Sequence, residues 1–232
     1  MHANDSRLRQ ANGRSVGTIF PLADGIENGR LIWWPDIGVG YFPVTAEISP
    51  YDYNYFDRFD RDARTDLGKS LMQARVNFIE QHYRGPLIDV GIGCGAFIDL
   101  RNKRHRMTYG YDINLAGIEW LEQRALFVNP YYVRFEAASL WDVLEHMPDF
   151  TILLHNISDW LFLSLPIFHN ADHALHSKHF RPKEHYWYFT RSGLIHTMSK
   201  CGFQLVSESN VETELGREDI GTFAFRRVHD RL

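Results

Sequence analysis

One ten-residue segment, residues 87–96, constrains the fold of this 232-residue chain more than any other. Its first four residues, Leu-Ile-Asp-Val, read as a short buried strand, and Gly-Ile-Gly-Cys-Gly follows as a glycine-rich loop before a helix. A second apolar strand then ends in an acid, Asp112, which lies 17 residues beyond Gly95. That spacing suits a strand–helix–strand unit of a parallel sheet. The segment therefore predicts an α/β fold.

The rest of the apolar pattern alternates between strands and helices. Extended segments are predicted at residues 87–90, 107–112, 125–128, 131–141, 160–165, 203–207 and 222–228. Helices are predicted after the glycine loop and at residues 65–83, 114–124, 148–157 and 190–200, with Thr65 and Asn114 as N-caps. We expect an α/β fold whose doubly wound, mostly parallel sheet carries an antiparallel edge hairpin.

Two segments fall outside this alternation. Residues 1–60 are expected to form an irregular, aromatic-rich leader that packs on a domain of residues 61–232, either over a cleft or simply over the core. Residues 166–189 are expected to form a long loop, of the length typical of a lid. Three histidines of this loop have helical spacing: His169, His173 and His176. They could be zinc ligands, but we favour their interpretation as polar residues of a lid.

Composition limits the compartment and the partners. The net charge of −4, from 29 acidic and 25 basic residues, provides no overall basic surface for a nucleic acid. Two cysteines without metal-ligand spacing indicate a reducing compartment, and the N-terminus lacks the apolar core of a signal peptide. Because no apolar run approaches the length of a membrane span, we expect a cytoplasmic protein.

Two cofactor classes fit the glycine loop and its distant acid. Gly91, Gly93 and Ala96 satisfy G-x-G-x-x-A, the fingerprint of a nicotinamide dinucleotide site. Asp89 argues against a dinucleotide, because it lies inside the first strand, and Gly95 fits the pattern D-x-G-x-G-x-G better. The long helix predicted before the motif argues the same way, so an adenosyl cofactor is favoured.

The segment Asp89-Val-Gly-Ile-Gly-Cys-Gly95 resembles motif I of class I S-adenosylmethionine-dependent methyltransferases. Other segments resemble the ubiquinone-biosynthesis O-methyltransferase-like subgroup: residues 135–146, which include Asp-Val-Leu-Glu-His, and residues 161–166, 183–190 and 200–203. The resemblance implies a Rossmann-like, seven-stranded sheet. It also implies transfer of a methyl group to oxygen or nitrogen of a small-molecule acceptor.

The same resemblance implies roles for individual residues. The backbone of the three loop glycines would line the methionine part of the cofactor, and Asp89 would orient its amino group through water. Asp112 would bind the ribose hydroxyls, and Ile113 would support the adenine ring. At the tip of a later strand, Trp141 and Asp142 would lie near the sulfonium.

A hydroxyl acceptor also has to lose a proton, to a general base or with the help of a metal. His146 is the first candidate base, His185 the second, and Glu145 is a further catalytic candidate. Asp142, Glu145 and His146 are alternatively the ligands of a divalent cation, as in some relatives within the subgroup. A third alternative is a purely structural role, in which Glu145 and His146 cap a helix and shape the floor of the cleft.

Two other functions are compatible with the sequence. Residues 129–132, Asn-Pro-Tyr-Tyr, partly match the N-P-P-Y motif that grips a flipped base, which would indicate a nucleic-acid or nucleotide methyltransferase. The motif precedes the strand that it should follow, which counts against this alternative. The other alternative is an idle adenosyl-binding module that serves as a partner subunit. The intact glycine loop and Asp112 favour real cofactor binding.

Overall fold

The computed structural model describes residues 26–28, 31–44 and 53–228. In these ranges lie the strands β1 (Ile26–Asn28), β2 (Leu31–Trp34), β3 (Val39–Tyr41), β4 (Leu87–Val90), β5 (Thr108–Tyr111), β6 (Phe135–Trp141), β7 (Ile157–Phe168), β8 (Trp187–Thr190), β9 (Phe203–Ser209) and β10 (Ile220–Arg227). The helices are α1 (Tyr53–Arg64), α2 (Asp66–Glu80), α3 (Ala96–Lys103), α4 (Leu115–Glu122), α5 (Thr151–His155), α6 (Ala171–His176), α7 (Arg191–Lys200) and α8 (Val211–Glu214). A 3-10 turn, Leu144–His146, follows β6.

The centre of the sheet is parallel. Strands β5, β4, β6 and β7 lie side by side in that order, so that Asp89 of β4 stands between Gly110 of β5 and Ser139 of β6. Beside β5, the expected extended segment 125–128 makes a single parallel bridge, from Phe127 to Gly110. The β9–β10 hairpin joins through antiparallel pairing of β10 with β7. The predicted doubly wound sheet with an antiparallel hairpin is confirmed.

An antiparallel extension of the sheet, made of β8, β3, β2 and β1, continues past the end of β6. The pairing of β7 with β6 ends at Ser164, and the last residues of β7, Ile167 and Phe168, then pair in parallel with β8. β8 pairs with β3, β3 with β2 and β2 with β1, all antiparallel. The described ranges therefore hold ten strands and not the expected seven: β1, β2, β3 and β8 are additional, whereas segment 125–128 makes only the isolated bridge.

Helices cover both faces of the sheet. On one face, Ile79 of α2 and Phe97 of α3 cluster with Phe162 of β7. On the other face, Leu153 of α5 and residues of α7 cluster with Leu163, the next residue of β7. Burial on alternate sides of one strand is what a doubly wound sheet requires. Within the described ranges, every helix is too short or too polar to cross a lipid bilayer.

Both predicted helix caps are confirmed. The Thr65 hydroxyl accepts a hydrogen bond from the backbone N–H of Gly68 at 3.0 Å, and the Asn114 side chain accepts one from Ala116 at 3.0 Å. These side chains satisfy backbone donors that a helix leaves unpaired at its first turn. The acid at the end of β5 is thereby followed at once by the start of α4.

Two predictions about segments outside the core are wrong where the structure describes them. Part of the expected irregular leader forms β2, β3 and α1, because backbone groups packed on a sheet need hydrogen-bond partners. The expected loop 166–189 contains the end of β7, α6, which Asn170 caps through His173 N–H, and β8. The rest of the predicted leader, residues 1–25, 29–30 and 45–52, lies outside the described ranges, and the domain division at residue 60 stays a prediction.

Candidate functional site

The loop between β4 and α3 is built around three glycines in left-handed backbone conformations. Gly91, Gly93 and Gly95 have φ angles of 75°, 57° and 79°, which side chains of L-amino acids rarely allow. A Cβ at Gly91 would lie 2.5 Å from Cγ2 of Val143, and one at Gly95 would lie 2.5 Å from the Trp120 ring. The loop therefore needs glycine at these two positions for conformational and steric reasons.

Asp112, directly after β5, lies against this loop. Its Oδ2 accepts a hydrogen bond from the backbone N–H of Ile92 at 2.9 Å, and its Oδ1 accepts one from Asn114 at 2.8 Å. Burial raises the pKa of the Asp112 carboxyl group, while the backbone amides around it act in the opposite direction. The glycine loop and the acid are thus in direct contact. The side chain of the next residue, Ile113, is 67% exposed.

Asp89 lies in β4, two residues before Gly91. It is 1% exposed, and its Oδ1 accepts a hydrogen bond of 2.6 Å from the Ser139 hydroxyl. Burial raises the pKa of Asp89 to about 7, against the opposing effects of the Ser139 hydrogen bond and of Arg75. The base of the glycine loop therefore holds a buried carboxyl group that changes charge near neutral pH.

Helix α1, absent from the predicted elements, lies across the glycine loop. A Cβ at Gly93 would be 3.3 Å from Cδ1 of Phe59. The Tyr53 hydroxyl donates a hydrogen bond of 2.8 Å to Oε1 of Glu119 in α4. The rings of Tyr55 and Phe59, one helical turn apart, pack with centroids 4.7 Å apart. That i, i+4 aromatic spacing was the available sequence signal for this helix.

Trp141 ends β6, and Asp142 follows it. The Trp141 ring lies in the core, with its centroid 5.5 Å from that of Phe97. Asp142 has a left-handed φ of 58°. Its Oδ2 accepts hydrogen bonds from the guanidinium groups of Arg75 at 3.1 Å and Arg217 at 2.9 Å. Both residues predicted at the strand tip are there, with side chains engaged by other protein groups.

Two arginines and a buried glutamate complete an ion cluster at Asp142. Glu212 of α8 is fully buried and accepts hydrogen bonds from Nε and Nη2 of Arg75, at 2.8 and 2.9 Å, and from Nη1 of Arg217. Burial acts to raise the pKa of Glu212, but the two guanidinium groups outweigh it, so the pKa is lowered. Sequence reasoning missed this cluster, because its members come from separate elements; the only local signal was Arg75 within an apolar helix face.

A second cluster follows the strand tip, where the 3-10 turn meets the segment before β8. Glu145, His146 and His185 each bring one oxygen or nitrogen atom within 4.8 Å of the others. Nδ1 of His146 is 3.1 Å from the backbone carbonyl oxygen of Glu184. Because a carbonyl oxygen only accepts, Nδ1 carries the proton of the neutral ring and Nε2 keeps its lone pair.

Burial sets the protonation state of each group in this cluster. The pKa of Glu145 lies well above its ordinary value, because of burial and then of the negative charge of Asp142. Burial lowers the pKa of His146. It lowers the pKa of His185 to about 2, with His146 as the second cause. Both imidazole rings are neutral at pH 7, and His146, with the smaller shift, is the better proton acceptor.

The metal ligands expected from the sequence are not the set that the structure assembles. Asp142 is held by two guanidinium groups, and His185 takes its place beside Glu145 and His146. Across the described ranges, this is the one group of three carboxylate or imidazole side chains close enough to share an ion. The histidines of residues 169–176 do not form such a group: the rings of His169 and His173 stack 4.8 Å apart on each other.

Comparisons with known proteins agree with this geometry. Residues 59–208 match the family described as a methyltransferase domain. No curated protein matches the sequence. Similar solved structures include magnesium protoporphyrin IX methyltransferase from Synechocystis PCC 6803 with bound SAH, at 15% identity and a TM-score of 0.56 over 77% of this chain and 96% of that chain.

Two further structures share the fold. One is 1,6-didemethyltoxoflavin-N1-methyltransferase from Burkholderia thailandensis, with bound 1,6-didemethyltoxoflavin and S-adenosylhomocysteine, at 17% identity and a TM-score of 0.53 over 82% of this chain and 96% of that chain. The other is a SAM-dependent methyltransferase from Archaeoglobus fulgidus, at 15% identity and a TM-score of 0.53 over 75% of this chain and 100% of that chain. At these identities the similarity shows the fold alone.

Proposed function

Because this chain belongs to the methyltransferase domain family, we propose that it transfers a methyl group from S-adenosylmethionine to oxygen or nitrogen of a small molecule. Two of the structural neighbours are named for small acceptors, a magnesium porphyrin and a toxoflavin precursor, and both were solved with S-adenosylhomocysteine. Residues 135–146 support a place beside the ubiquinone-biosynthesis O-methyltransferases. Both cysteines are free thiols, as expected for the cytoplasm, the compartment we propose.

The observation that carries the cofactor assignment is the contact between Asp112 and the glycine loop. Each carboxylate oxygen of Asp112 accepts a backbone hydrogen bond, and a carboxylate oxygen can accept a second one from a ribose hydroxyl. The left-handed glycines leave the backbone open to close approach. Asp89 offers a buried carboxyl group for the amino group, and the exposed Ile113 offers an apolar surface for adenine. The residues present therefore fit S-adenosylmethionine.

S-adenosylmethionine supplies a methyl group on a sulfonium sulfur, and the carbon–sulfur bond breaks as the acceptor forms its bond to the methyl carbon. Catalysis of this displacement rests on holding the acceptor in line, which contributes on the order of 7–11 kcal/mol in well-oriented systems. The ion cluster fixes the strand tip for this purpose: Asp142 is tied to α2 by Arg75 and to the segment after α8 by Arg217.

His146 is the residue that we assign as general base. Its Nδ1–H is engaged with the Glu184 carbonyl, so Nε2 is the atom that takes the proton from an acceptor hydroxyl or ammonium group. His185 is a weaker candidate, because burial keeps its ring neutral far below neutral pH. Glu145, with its raised pKa, is a buried carboxylic acid next to this base.

Isothermal titration with S-adenosylmethionine, S-adenosylhomocysteine and NAD tests the cofactor assignment. We expect the adenosyl pair to bind and NAD not to bind. Asp112→Ala should weaken S-adenosylhomocysteine binding at least tenfold, about 1.4 kcal/mol. Asp36→Ala, in the exposed turn between β2 and β3, is the matched control and should bind like the wild type. Unchanged affinity for Asp112→Ala, or binding of NAD alone, would contradict the assignment.

Turnover is tested separately, with a labelled methyl donor and a panel of small phenols, amines and carboxylic acids. Transfer of label to any member supports the small-molecule enzyme. Transfer only to an oligonucleotide would instead support the nucleic-acid alternative. Adenosyl binding without transfer to any acceptor would support an adenosyl-binding partner subunit and contradict the catalytic assignment.

A further inference from the structure

Ser139 is a polar residue in an apolar part of the sheet. It is fully buried in β6, and so are its neighbours Ala138 and Leu140. A buried hydroxyl group costs free energy unless it is hydrogen-bonded, and here it donates to Oδ1 of Asp89 at 2.6 Å. The two residues stand opposite each other in the parallel pairing of β6 with β4. The hydrogen bond is therefore held by the sheet and not by a mobile side chain.

Several charged groups face Asp89 from the elements packed around it. Burial raises the pKa of Asp89 to about 7. The Ser139 hydrogen bond and the positive charges of Arg75 in α2 and Arg101 in α3 lower it, whereas the negative charge of Asp112 raises it. Loss of the Ser139 hydroxyl would remove the largest of the effects that keep the carboxyl group ionised.

We propose that Ser139 is a positioning residue for cofactor binding: its hydroxyl holds the Asp89 carboxylate, ionised and oriented, for the ammonium group of S-adenosylmethionine. The inference rests on the proposed function and adds to it. It assigns recognition of the amino-acid end of the cofactor to a pair of residues on neighbouring strands, Asp89 and Ser139. Because Asp112 and Ile113 are the residues assigned to the adenosyl end, substitution of Ser139 should affect binding through the amino-acid end alone.

Two adenosyl probes distinguish this role from a structural one. S-adenosylhomocysteine carries the amino-acid end, and 5′-methylthioadenosine lacks it. In isothermal titrations at pH 7, Ser139→Ala should weaken S-adenosylhomocysteine binding about fivefold, the size of effect expected from the loss of one hydrogen bond that holds the Asp89 carboxylate. Binding of 5′-methylthioadenosine should stay unchanged. Ser139→Thr, which keeps a hydroxyl group, should restore binding of S-adenosylhomocysteine.

The pH profile provides the second readout. Between about pH 6 and pH 8.5, S-adenosylhomocysteine should bind the wild type more tightly as Asp89 ionises, with a midpoint at about 7. Ser139→Ala should move this midpoint to higher pH, and Asp89→Asn should remove it. Any of three results for Ser139→Ala overturns the inference. These are equal weakening of the binding of both probes, a loss of S-adenosylhomocysteine affinity that is the same at every pH, and unchanged binding of S-adenosylhomocysteine. If the wild type binds neither probe, the proposed function itself fails. If the wild type binds S-adenosylhomocysteine and Ser139→Ala binds it equally well, only the inference about Ser139 fails.

Discussion

Replacing Glu212 with glutamine tests whether a buried carboxylate holds the ion cluster at the tip of β6. Glu212 is fully buried and accepts two hydrogen bonds from Arg75 and one from Arg217. Glutamine keeps the side-chain volume, but it removes the charge and leaves a single accepting oxygen. Arg75 would keep its bonds to Asp142 at 3.1 Å and to Ser164 at 3.3 Å, and it would share the one remaining acceptor oxygen at position 212 with Arg217.

The expected loss of stability follows from the burial of the cluster. Removing one partner of a buried ion pair costs about 3–5 kcal/mol, because the other charge is left buried without compensation. Since Asp142 still faces both arginines, we expect about 3 kcal/mol of unfolding free energy at pH 7. The pKa of Glu212 is lowered in the folded protein. Its contribution is therefore complete above the unfolded pKa of about 4.3 and is lost as pH falls through the folded pKa.

Denaturation by urea measures this difference directly. Glu208→Gln is the matched control, because Glu208 also accepts two hydrogen bonds from one arginine, Arg191, at 2.7 and 2.9 Å. That pair is exposed, so its loss should cost less than about 1 kcal/mol. A cost for Glu212→Gln that equals the control, or one that does not shrink as the pH is lowered toward about 3, refutes the reasoning about buried charge.

Gly91→Ala should destabilise the fold by more than about 1 kcal/mol and abolish adenosyl binding, because alanine is strained at a φ of 75° and its Cβ would lie 2.5 Å from Val143. Gly216→Ala is the control in thermal unfolding and titration, since a Cβ there meets nothing within 4 Å; equal effects would contradict the steric argument. His146→Asn keeps a donor for the Glu184 carbonyl but removes the base, so kcat should fall about 10²–10⁴-fold with S-adenosylhomocysteine affinity retained. Because burial lowers the pKa of His146, wild-type kcat at saturating S-adenosylmethionine should hold its plateau to below about pH 6.5 and then fall as the ring is protonated. Persistence of that acidic limb in the variant would assign it to another group.

The sequence predicts the geometry of the glycine loop and of Asp112 well, because the information there is local. The left-handed glycines, the Asn114 cap and the acid after β5 all lie within residues 87–114, and each carries its own conformational requirement. A strand, a tight turn and a helix start follow from a few adjacent residues. Hence the contact between Asp112 and the loop could be expected without a structure.

The remaining parts depend on partners far along the chain. Strands β2 and β3 are four and three residues long, too short for a periodic signal, and β3 pairs with β8, which lies far along the chain. Arg75, Glu212 and Asp142 likewise meet only after α2, α8 and β6 are packed. A charge inside an apolar helix face signals that a partner exists, but the partner's position is set by tertiary packing.

Helix α1 occupies space beside the glycine loop that a ligand could otherwise use. The ring of Phe59 takes the side of Gly93 on which a Cβ would stand, so a ligand using that side has to displace it. None of the residues of α1 is fully buried, and the exposed hydrogen bond from Tyr53 to Glu119 is one of the contacts that hold the helix in place. For such a ligand, the measured affinity is the intrinsic affinity multiplied by the fraction of molecules in which α1 has moved aside. An enzyme that must exchange S-adenosylhomocysteine for S-adenosylmethionine after every reaction would move α1 aside once per catalytic cycle.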